Sequence, residues 1–286
     1  MTTETMSLES IAEIKELRLK AILAEYPSVA VAYSGGVDST YLADIAHEVL
    51  GDKSCMIIAD SPSIPRSELR EAVGLAEGRG WGLRVVNTTE FENESYLAND
   101  GRRCYFCKSE LFKRMKDYAD NSDVEILAYG AMADDKFDPT RLGHLAATEH
   151  RVVAPLQDAE LGKDEIRHLS RRRNLPTAAK ASFACLASRF PTGTRVTLED
   201  IHKIEQAEEV LKAEGFYQYR ARHHGDTCRI EVDQDDIARI LDPVVRDRVV
   251  NGVTAAGYKH VTVDLAGYRT GSSATMTPAA NLLQPK

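Results

Sequence analysis

Apolar residues recur at two spacings along this chain, and the alternation between them outlines the fold before any single residue is considered. Residues 8–26 carry Leu8, Ile11, Ile14, Leu17 and Ile22 at helical intervals and stop before Pro27, the pattern of an amphipathic lead helix. From there, short apolar runs alternate with helical stretches. Strands are predicted at 29–33, 54–59, 83–87 and 125–129, with a short one at 151–154, and helices at 38–50, 66–79, 107–118 and 163–173. This order makes parallel βαβ units, so the expected fold class is α/β, a doubly wound parallel sheet covered on both faces.

Beyond Pro191-Thr192-Gly193-Thr194 the alternation ends. A helix at 198–213, strands at 218–223 and 228–232, a helix near 234–241 and a strand at 259–265 predict a smaller α+β domain. A chain of 286 residues can hold two cores. The expected division is 1–184 and 185–286, with a mobile tail from Ser272.

Composition narrows the partners. The chain is 28% charged and 43% hydrophobic, ordinary for a soluble protein. No apolar run reaches the ~20 residues that span a bilayer, and the start, Met1-Thr2-Thr3-Glu4-Thr5, is polar and acidic, unlike an export signal. A cytoplasmic protein with no membrane partner is expected. The formal charge of −8 is uneven: residues 1–180 carry 23 basic against 30 acidic side chains, and residues 181–286 carry 13 against 14. Grip on RNA or DNA draws on strong positive surface, so the balance favours a small-molecule substrate and no nucleic acid.

Candidate chemistry begins at Ser34-Gly35-Gly36-Val37-Asp38-Ser39, between the first strand and the next helix. Adjacent glycines let the backbone turn sharply and approach an anion, while successive N–H groups and the helix N-terminus converge on a phosphate. Ser34 and Ser39 add hydroxyl donors. Asp38 suits a helix cap or a partner of phosphate-bound magnesium. No Gly-Lys-Ser/Thr follows, so this is not the loop that pairs a lysine with terminal phosphates. Asp60 and Gly130 follow later strands and fall on the same crevice of an open α/β sheet by position. The run resembles the pyrophosphate-binding loop of the N-type ATP pyrophosphatases, which include GMP synthetase, NAD synthetase and tRNA-thiolating enzymes. That resemblance implies cleavage of ATP to AMP and pyrophosphate, with a substrate adenylated on the way.

The five cysteines are Cys55, Cys104, Cys107, Cys185 and Cys228, an odd set with no disulfide framework expected. Cys55 and Cys228 sit in apolar strands as core fillers. In Arg103-Cys104-Tyr105-Phe106-Cys107-Lys108 the spacing lets two thiolates converge at the start of a helix, and Arg102, Arg103 and Lys108 are expected to favour the thiolate forms. A C-x-x-C alone reads equally as a redox pair, half of a zinc site, or chance. Cys185 lies in a small-residue, basic-flanked loop. Three cysteines leave a structural zinc site one ligand short, and suit an iron–sulfur cluster with one iron open.

Taken together, the nucleotide loop, the C-x-x-C segment, Gly130-Ala131-Met132-Ala133-Asp134-Asp135, Cys185-Leu186-Ala187-Ser188-Arg189, Arg220-Ala221-Arg222-His223-His224-Gly225 and Arg229-Ile230-Glu231 resemble the LarE sulfur transferases of lactate racemase cofactor assembly. The resemblance runs through most of the chain. It implies that a pyridinium biscarboxylate mononucleotide is adenylated with ATP and Mg2+ and becomes its bis-thiocarboxylate. Some members sacrifice the sulfur of the cysteine corresponding to Cys185. Others, with two further cysteines, carry a [4Fe-4S] cluster that relays sulfide from a sulfide source, and this chain has the extra pair. The implied cluster ligands are Cys104, Cys107 and Cys185. Lys108 would polarise the substrate carboxylate, Arg220, Arg222 and Arg269 would hold phosphate or carboxylate, and Glu208 and Glu231 would bind magnesium or orient groups. The resemblance also implies a homo-oligomer, a trimer or hexamer. His223 and His224 read as hydrogen-bonding strand-end residues rather than metal ligands.

Overall fold

The structure, a computed structural model, describes residues 8–137, 142–181 and 184–269; the tail expected from Ser272 lies outside them. The chain runs α1 (Leu8–Ala24), β1 (Val29–Ala32), α2 (Val37–Leu50), β2 (Ser54–Asp60), α3 (Arg66–Gly78), β3 (Leu83–Asn87), α4 (Glu94–Leu97), α5 (Arg103–Ala119), β4 (Ile126–Tyr129), α6 (Gly143–Glu149), α7 (Pro155–Asp158) and α8 (Lys163–Arg172). The four strands form one parallel sheet in the order β3-β2-β1-β4. Strand order therefore reverses direction at β1, and the crevice beyond the C-terminal ends of β1 and β4 is the place where open α/β sheets hold ligands.

Alternation along each strand splits the core in two. Val29 and Val31 of β1, with Met56 and Ile58 of β2, face Leu19 and Leu23 of α1, Tyr41 and Leu42 of α2, and Ile166 of α8. Ala30 and Ile57 face the other way, onto Phe112 and Met115 of α5 and Ala146 and Ala147 of α6. The expected α/β class is what the structure has. Two details differ. Segment 151–154 makes only an isolated parallel bridge, Ala128 to Val153, because the chain is already turning into Pro155 at the start of α7. The helix expected from Cys107 begins a full turn earlier, at Arg103. Asp100 accepts the Arg102 N–H at 3.2 Å and Asn99 holds the Arg103 guanidinium at 2.6 Å, which together organise the helix entry.

The second part comprises α9 (Leu198–Ala213), β5 (Tyr219–His224), β6 (Thr227–Val232), α10 (Ile237–Ile240), α11 (Pro243–Ala255) and β7 (His260–Val263). Its sheet has the order β5-β6-β7, antiparallel then parallel. Leu211 of α9 and Val249 and Val253 of α11 pack on Ala221, Ile230 and Val232. The sequence reading passed over α11, although Asp242 caps it by accepting from Val244 and Val245 N–H groups, with Pro243 at the first helical position. The two parts touch directly: Glu205 of α9 accepts the backbone N–H of Arg66 at 2.6 Å, and Tyr217 donates to the carbonyl of Ala179. A further apolar cluster of Tyr96, Leu186, Phe190, Val196 and Ile204 ties α4, the Cys185 loop and α9 together.

Candidate active site

β1 delivers Tyr33, whose hydroxyl donates to the Ala72 carbonyl at 3.1 Å and whose ring meets Trp81 edge-on. The chain then turns through Gly35 at φ +68°, where an added Cβ would lie 2.6 Å from the Cβ of Ala72. Only glycine satisfies both the left-handed backbone and the close approach of α3. The Ser34 and Ser39 hydroxyls bond each other at 3.0 Å, and Ser39 Oγ also accepts the Ser34 N–H at 3.1 Å. This fixes the loop and leaves the N-terminus of α2 facing the crevice. Gly130, after β4, packs on that same N-terminus: a Cβ there would stand 3.0 Å from Ser39 N.

Asp38 is not the cap of α2. Gly36 occupies that position without a side-chain bond, and Asp38, one residue inside the helix, is held by Lys163, whose Nζ lies 2.8 Å from both carboxylate oxygens. Lys163 opens α8, and its backbone N–H donates to Asp134 at 2.8 Å. The sequence reading found no lysine in the loop itself; the fold brings one from 125 residues away. Gly162-Lys163 at a helix start after an apolar turn was the available signal. Asp60 is paired with Arg66 and is not on the wall of the cavity described next.

A cavity of about 520 Å³ opens at this crevice. Ser34, Gly36, Asp38, Ser39 and Gly130 form one wall; Cys104, Lys108, Tyr129, His144 and Ala184 form others. The Lys108 ammonium sits 4.7 Å from the centre of the Tyr129 ring, and the Tyr129 hydroxyl bonds His144 Nδ1 at 2.7 Å. Tyr129 and His144 carried no motif and went unnoticed in the sequence.

Cys104 and Cys107 lie three apart in the first turns of α5, on neighbouring positions of one face. Cys104 reaches solvent and lines the cavity, whereas Cys107 and Cys185 pack against the cluster around Tyr96 and Phe190. Cys104 and Cys107 both feel Cys185. Desolvation by surrounding protein and then Cys185 raise the Cys104 thiol above its ordinary value, with Arg103 and Lys108 opposing. Burial, Cys185, buried Glu90 and Cys104 push Cys107 up further. The expectation that nearby cations favour thiolates is thus overturned: desolvation and mutual repulsion outweigh them. A cationic metal group is the partner that would reverse this balance, and thiolates are its ligands. Among the described residues, no group of three or more His, Cys, Asp or Glu side chains is gathered closely enough to hold a metal ion. The three thiols have the donor chemistry of metal ligands, but they are not gathered round one point in this structure.

That loop is held from below. Arg189, fully buried, makes a two-pronged ion pair with Glu208 at 2.7 and 2.9 Å and donates to the carbonyls of Ala184 and Cys185 at 2.7 and 3.0 Å. Arg222 bonds Glu231 at 2.8 and 3.0 Å and the Ser188 carbonyl at 3.1 Å. The other Glu231 oxygen accepts from Arg229. Arg220 lies against the Tyr268 ring at 4.9 Å, and burial together with the Arg189 charge pulls it down to about 10. Arg220 and Arg222 are buried, not a solvated edge. Glu208 and Glu231 have both oxygens engaged with guanidinium groups, so orienting arginines, rather than binding magnesium, is the role their contacts give them. Arg269 is exposed at the rim, 3.8 Å from Asp264. His223 is bonded to Tyr258 at 3.2 Å and stacked by Phe190.

No protein-family model matches the chain. Individual relatives do. An uncharacterised protein of Synechocystis is 36% identical over 91% of this chain and 96% of its own length. The pyridinium-3,5-bisthiocarboxylic acid mononucleotide synthase of Lactiplantibacillus plantarum is 32% identical over 90% of this chain and 92% of its own. The GMP synthase of Chlamydia muridarum is 25% identical over 61% of this chain and 37% of its own. Near-full-length similarity to the Lactiplantibacillus enzyme, on a parallel sheet with a glycine-built phosphate loop, places this chain in the LarE family of the PP-loop ATP pyrophosphatase superfamily.

Proposed function

We propose that the chain uses ATP to adenylate the carboxylates of pyridinium-3,5-biscarboxylic acid mononucleotide and to exchange their oxygen for sulfur, releasing AMP and pyrophosphate. The observation that carries this reading is the shared cavity, in which the phosphate loop, Lys108, Cys104 and the neighbour of Cys185 face one another. Oxide is a poor leaving group, so a carboxylate must be activated before sulfur can replace its oxygen; the mixed anhydride with AMP supplies that leaving group. Backbone N–H groups of the loop hold pyrophosphate as it departs, Asp38 takes the magnesium ion, and Lys163, released from Asp38, follows the phosphates. Lys108 draws the substrate carboxylate toward the α-phosphate of ATP, whose bond to pyrophosphate breaks as the mixed anhydride forms.

The C-terminal part, 185–286, contributes the substrate's phosphate site through Arg220 and Arg222, with Arg269 at the entrance. Three buried guanidinium groups, Arg189, Arg220 and Arg222, face two buried carboxylates, Glu208 and Glu231. Planar guanidinium forks suit a phosphate, and burial beside the Arg189 charge disfavours the charged form of Arg220, which a bound phosphate would counter. Cys104, Cys107 and Cys185 are the ligands for a [4Fe-4S] cluster, which when bound would supply sulfide at the iron that no thiolate holds.

That the three thiols are not gathered as a metal-holding group among the described residues favours one second reading, in which Cys185 itself gives up its sulfur. Anaerobic reconstitution with iron and sulfide, followed by turnover and mass spectrometry, separates the two. The expected result is substrate-dependent AMP and pyrophosphate, a thiocarboxylate product and an intact Cys185. Dehydroalanine at Cys185 without cluster absorbance establishes the sacrificial reading; absence of substrate-dependent AMP rejects sulfur transfer altogether.

A further inference from the structure

We infer that Arg189 is a positioning residue that locks the Cys185 loop to the strand bearing Arg220 and Arg222, so that the sulfur-handling cysteine and the substrate's anchor keep a fixed separation. The inference rests on the sulfur-transfer reading above, and the observations are geometric. Arg189 has no exposed surface, and its guanidinium divides its hydrogen bonds between the Cys185 loop and Glu208. One guanidinium nitrogen serves the loop alone, donating to Ala184 O at 2.7 Å, Cys185 O at 3.0 Å and Ser188 Oγ at 2.9 Å. The other two serve Glu208. Glu208 in turn accepts the backbone N–H of Ala221, the residue between Arg220 and Arg222, at 3.0 Å. Two hydrogen bonds and one ion pair therefore connect the carbonyl of Cys185 to the backbone of β5.

A second tie runs parallel to the first, from the Ser188 carbonyl through Arg222 to Glu231 of β6. The far side of the loop is pinned as well: Leu186 N–H donates to Ser63 O at 2.8 Å, and Ser63 bonds Tyr96 at 2.6 Å. Cys185 thus sits between an anchor on the nucleotide part and one on the arginine strand, and Arg189 is the only side chain among the described residues that bonds its carbonyl. The planar fork matters here. A lysine would keep the charge opposite Glu208 but could not serve the ion pair and two carbonyls together.

Position affects the two half-reactions differently, and this gives the test. Adenylation takes place at the phosphate loop, which Arg189 does not touch; sulfur transfer needs Cys185 placed against the anchored substrate. In Arg189→Lys and Arg189→Gln, compared at equal folded fraction by thermal melting, pyrophosphate release, the readout of adenylation, should continue while thiocarboxylate formation falls on the order of 100-fold, as for a small misplacement of reacting groups. Water would then hydrolyse the stalled mixed anhydride to AMP and the starting carboxylate, so pyrophosphate released per thiocarboxylate would rise, with the KM for the mononucleotide little changed. Independently of any cluster, apo Arg189→Lys should show faster alkylation of Cys185 by iodoacetamide relative to Cys107, followed by peptide mass spectrometry. Parallel loss of pyrophosphate and thiocarboxylate, or an unchanged Cys185-to-Cys107 alkylation ratio, would overturn the inference. Wild-type protein that makes no substrate-dependent AMP would instead overturn the sulfur-transfer reading beneath it.

Discussion

Two regions of this molecule concentrate positive potential, and they do it with opposite materials. The loop between β1 and α2 uses backbone: N–H groups, a helix N-terminus and two serines bonded to each other, with no charged group buried. The surface between the Cys185 loop and β5 uses side chains: three buried guanidinium groups set against two buried carboxylates. The backbone design depends on conformations that only glycine reaches. The side-chain design depends on a balance of buried charges, in which the loss of one partner strands another. The first is therefore sensitive to shape and the second to charge.

The sharpest way to break this comparison is to remove a carboxylate from the second region. Glu208→Ala would leave Arg189 buried without its ion pair and the Ala221 N–H without an acceptor. Loss of one partner of a buried pair costs about 3–5 kcal/mol. Urea denaturation should show a correspondingly lower midpoint in the cooperative unit that contains β5. A loss below about 1 kcal/mol would mean that water reaches Arg189 and that charge balance does not govern this region.

How much of each region could be read from sequence follows from the same contrast. The loop is contiguous: Ser34 to Ser39 are neighbours in sequence, and the preceding apolar run and following helix set their geometry locally. The α/β alternation was equally legible, because the first two βαβ units each close within roughly 30 residues. The arginine cluster joins residues 189, 208, 222 and 231 through tertiary contacts, and each one in sequence resembles an ordinary surface charge. Lys163 reaches Asp38 only because α8 packs beside α2. The fate of Cys104 and Cys107 was misjudged for a related reason. Local sequence shows the cations at 102, 103 and 108, but not the protein packed around the two thiols or the approach of Cys185, which together outweigh them.

Shape sensitivity in the loop is tested by Gly35→Ala. The substitution forces an L side chain into the left-handed region, at about 1–2 kcal/mol, and drives a Cβ to 2.6 Å from that of Ala72, overpacking that adds about 1–3 kcal/mol. Some of this will be relieved by displacement of α3, so the expected loss of stability is about 2–4 kcal/mol, close to or below that of Glu208→Ala. ATP binding by isothermal titration should fall with it, because the N–H groups lose their common direction. Gly51→Ala is the matched control: it has positive φ, and an added Cβ meets nothing within 4 Å. It should lose stability and keep ATP affinity. Equal loss of ATP binding in both variants would show that the loop's fit to α3 is irrelevant to the nucleotide.

The smallest effect sharpens the comparison at the place where the two regions meet. Cys104 belongs to the wall of the cavity at the β1–α2 loop and Cys185 to the arginine-held loop, yet desolvation by surrounding protein and then Cys185 raise both Cys104 and Cys107. A thiol whose folded value lies above its unfolded value of 9.0 stabilises the fold fully below that pH, and the contribution is lost as pH rises through the folded value. Apo protein should therefore weaken in alkaline solution above pH 9, not in acid, as far as these thiols are concerned. At pH 8 their alkylation should be slower than that of a free cysteine peptide, since the thiolate is the reactive form. Cys185→Ser removes one shared cause and leaves the surrounding protein in place, so both remaining thiols should react modestly faster. Peptide-resolved alkylation rates across pH 7 to 10 check this. Rates at Cys104 and Cys107 that do not respond to Cys185→Ser would mean that the loop and α5 are electrostatically independent. The three thiols would then lie too far apart to share one cluster without a large movement of the loop.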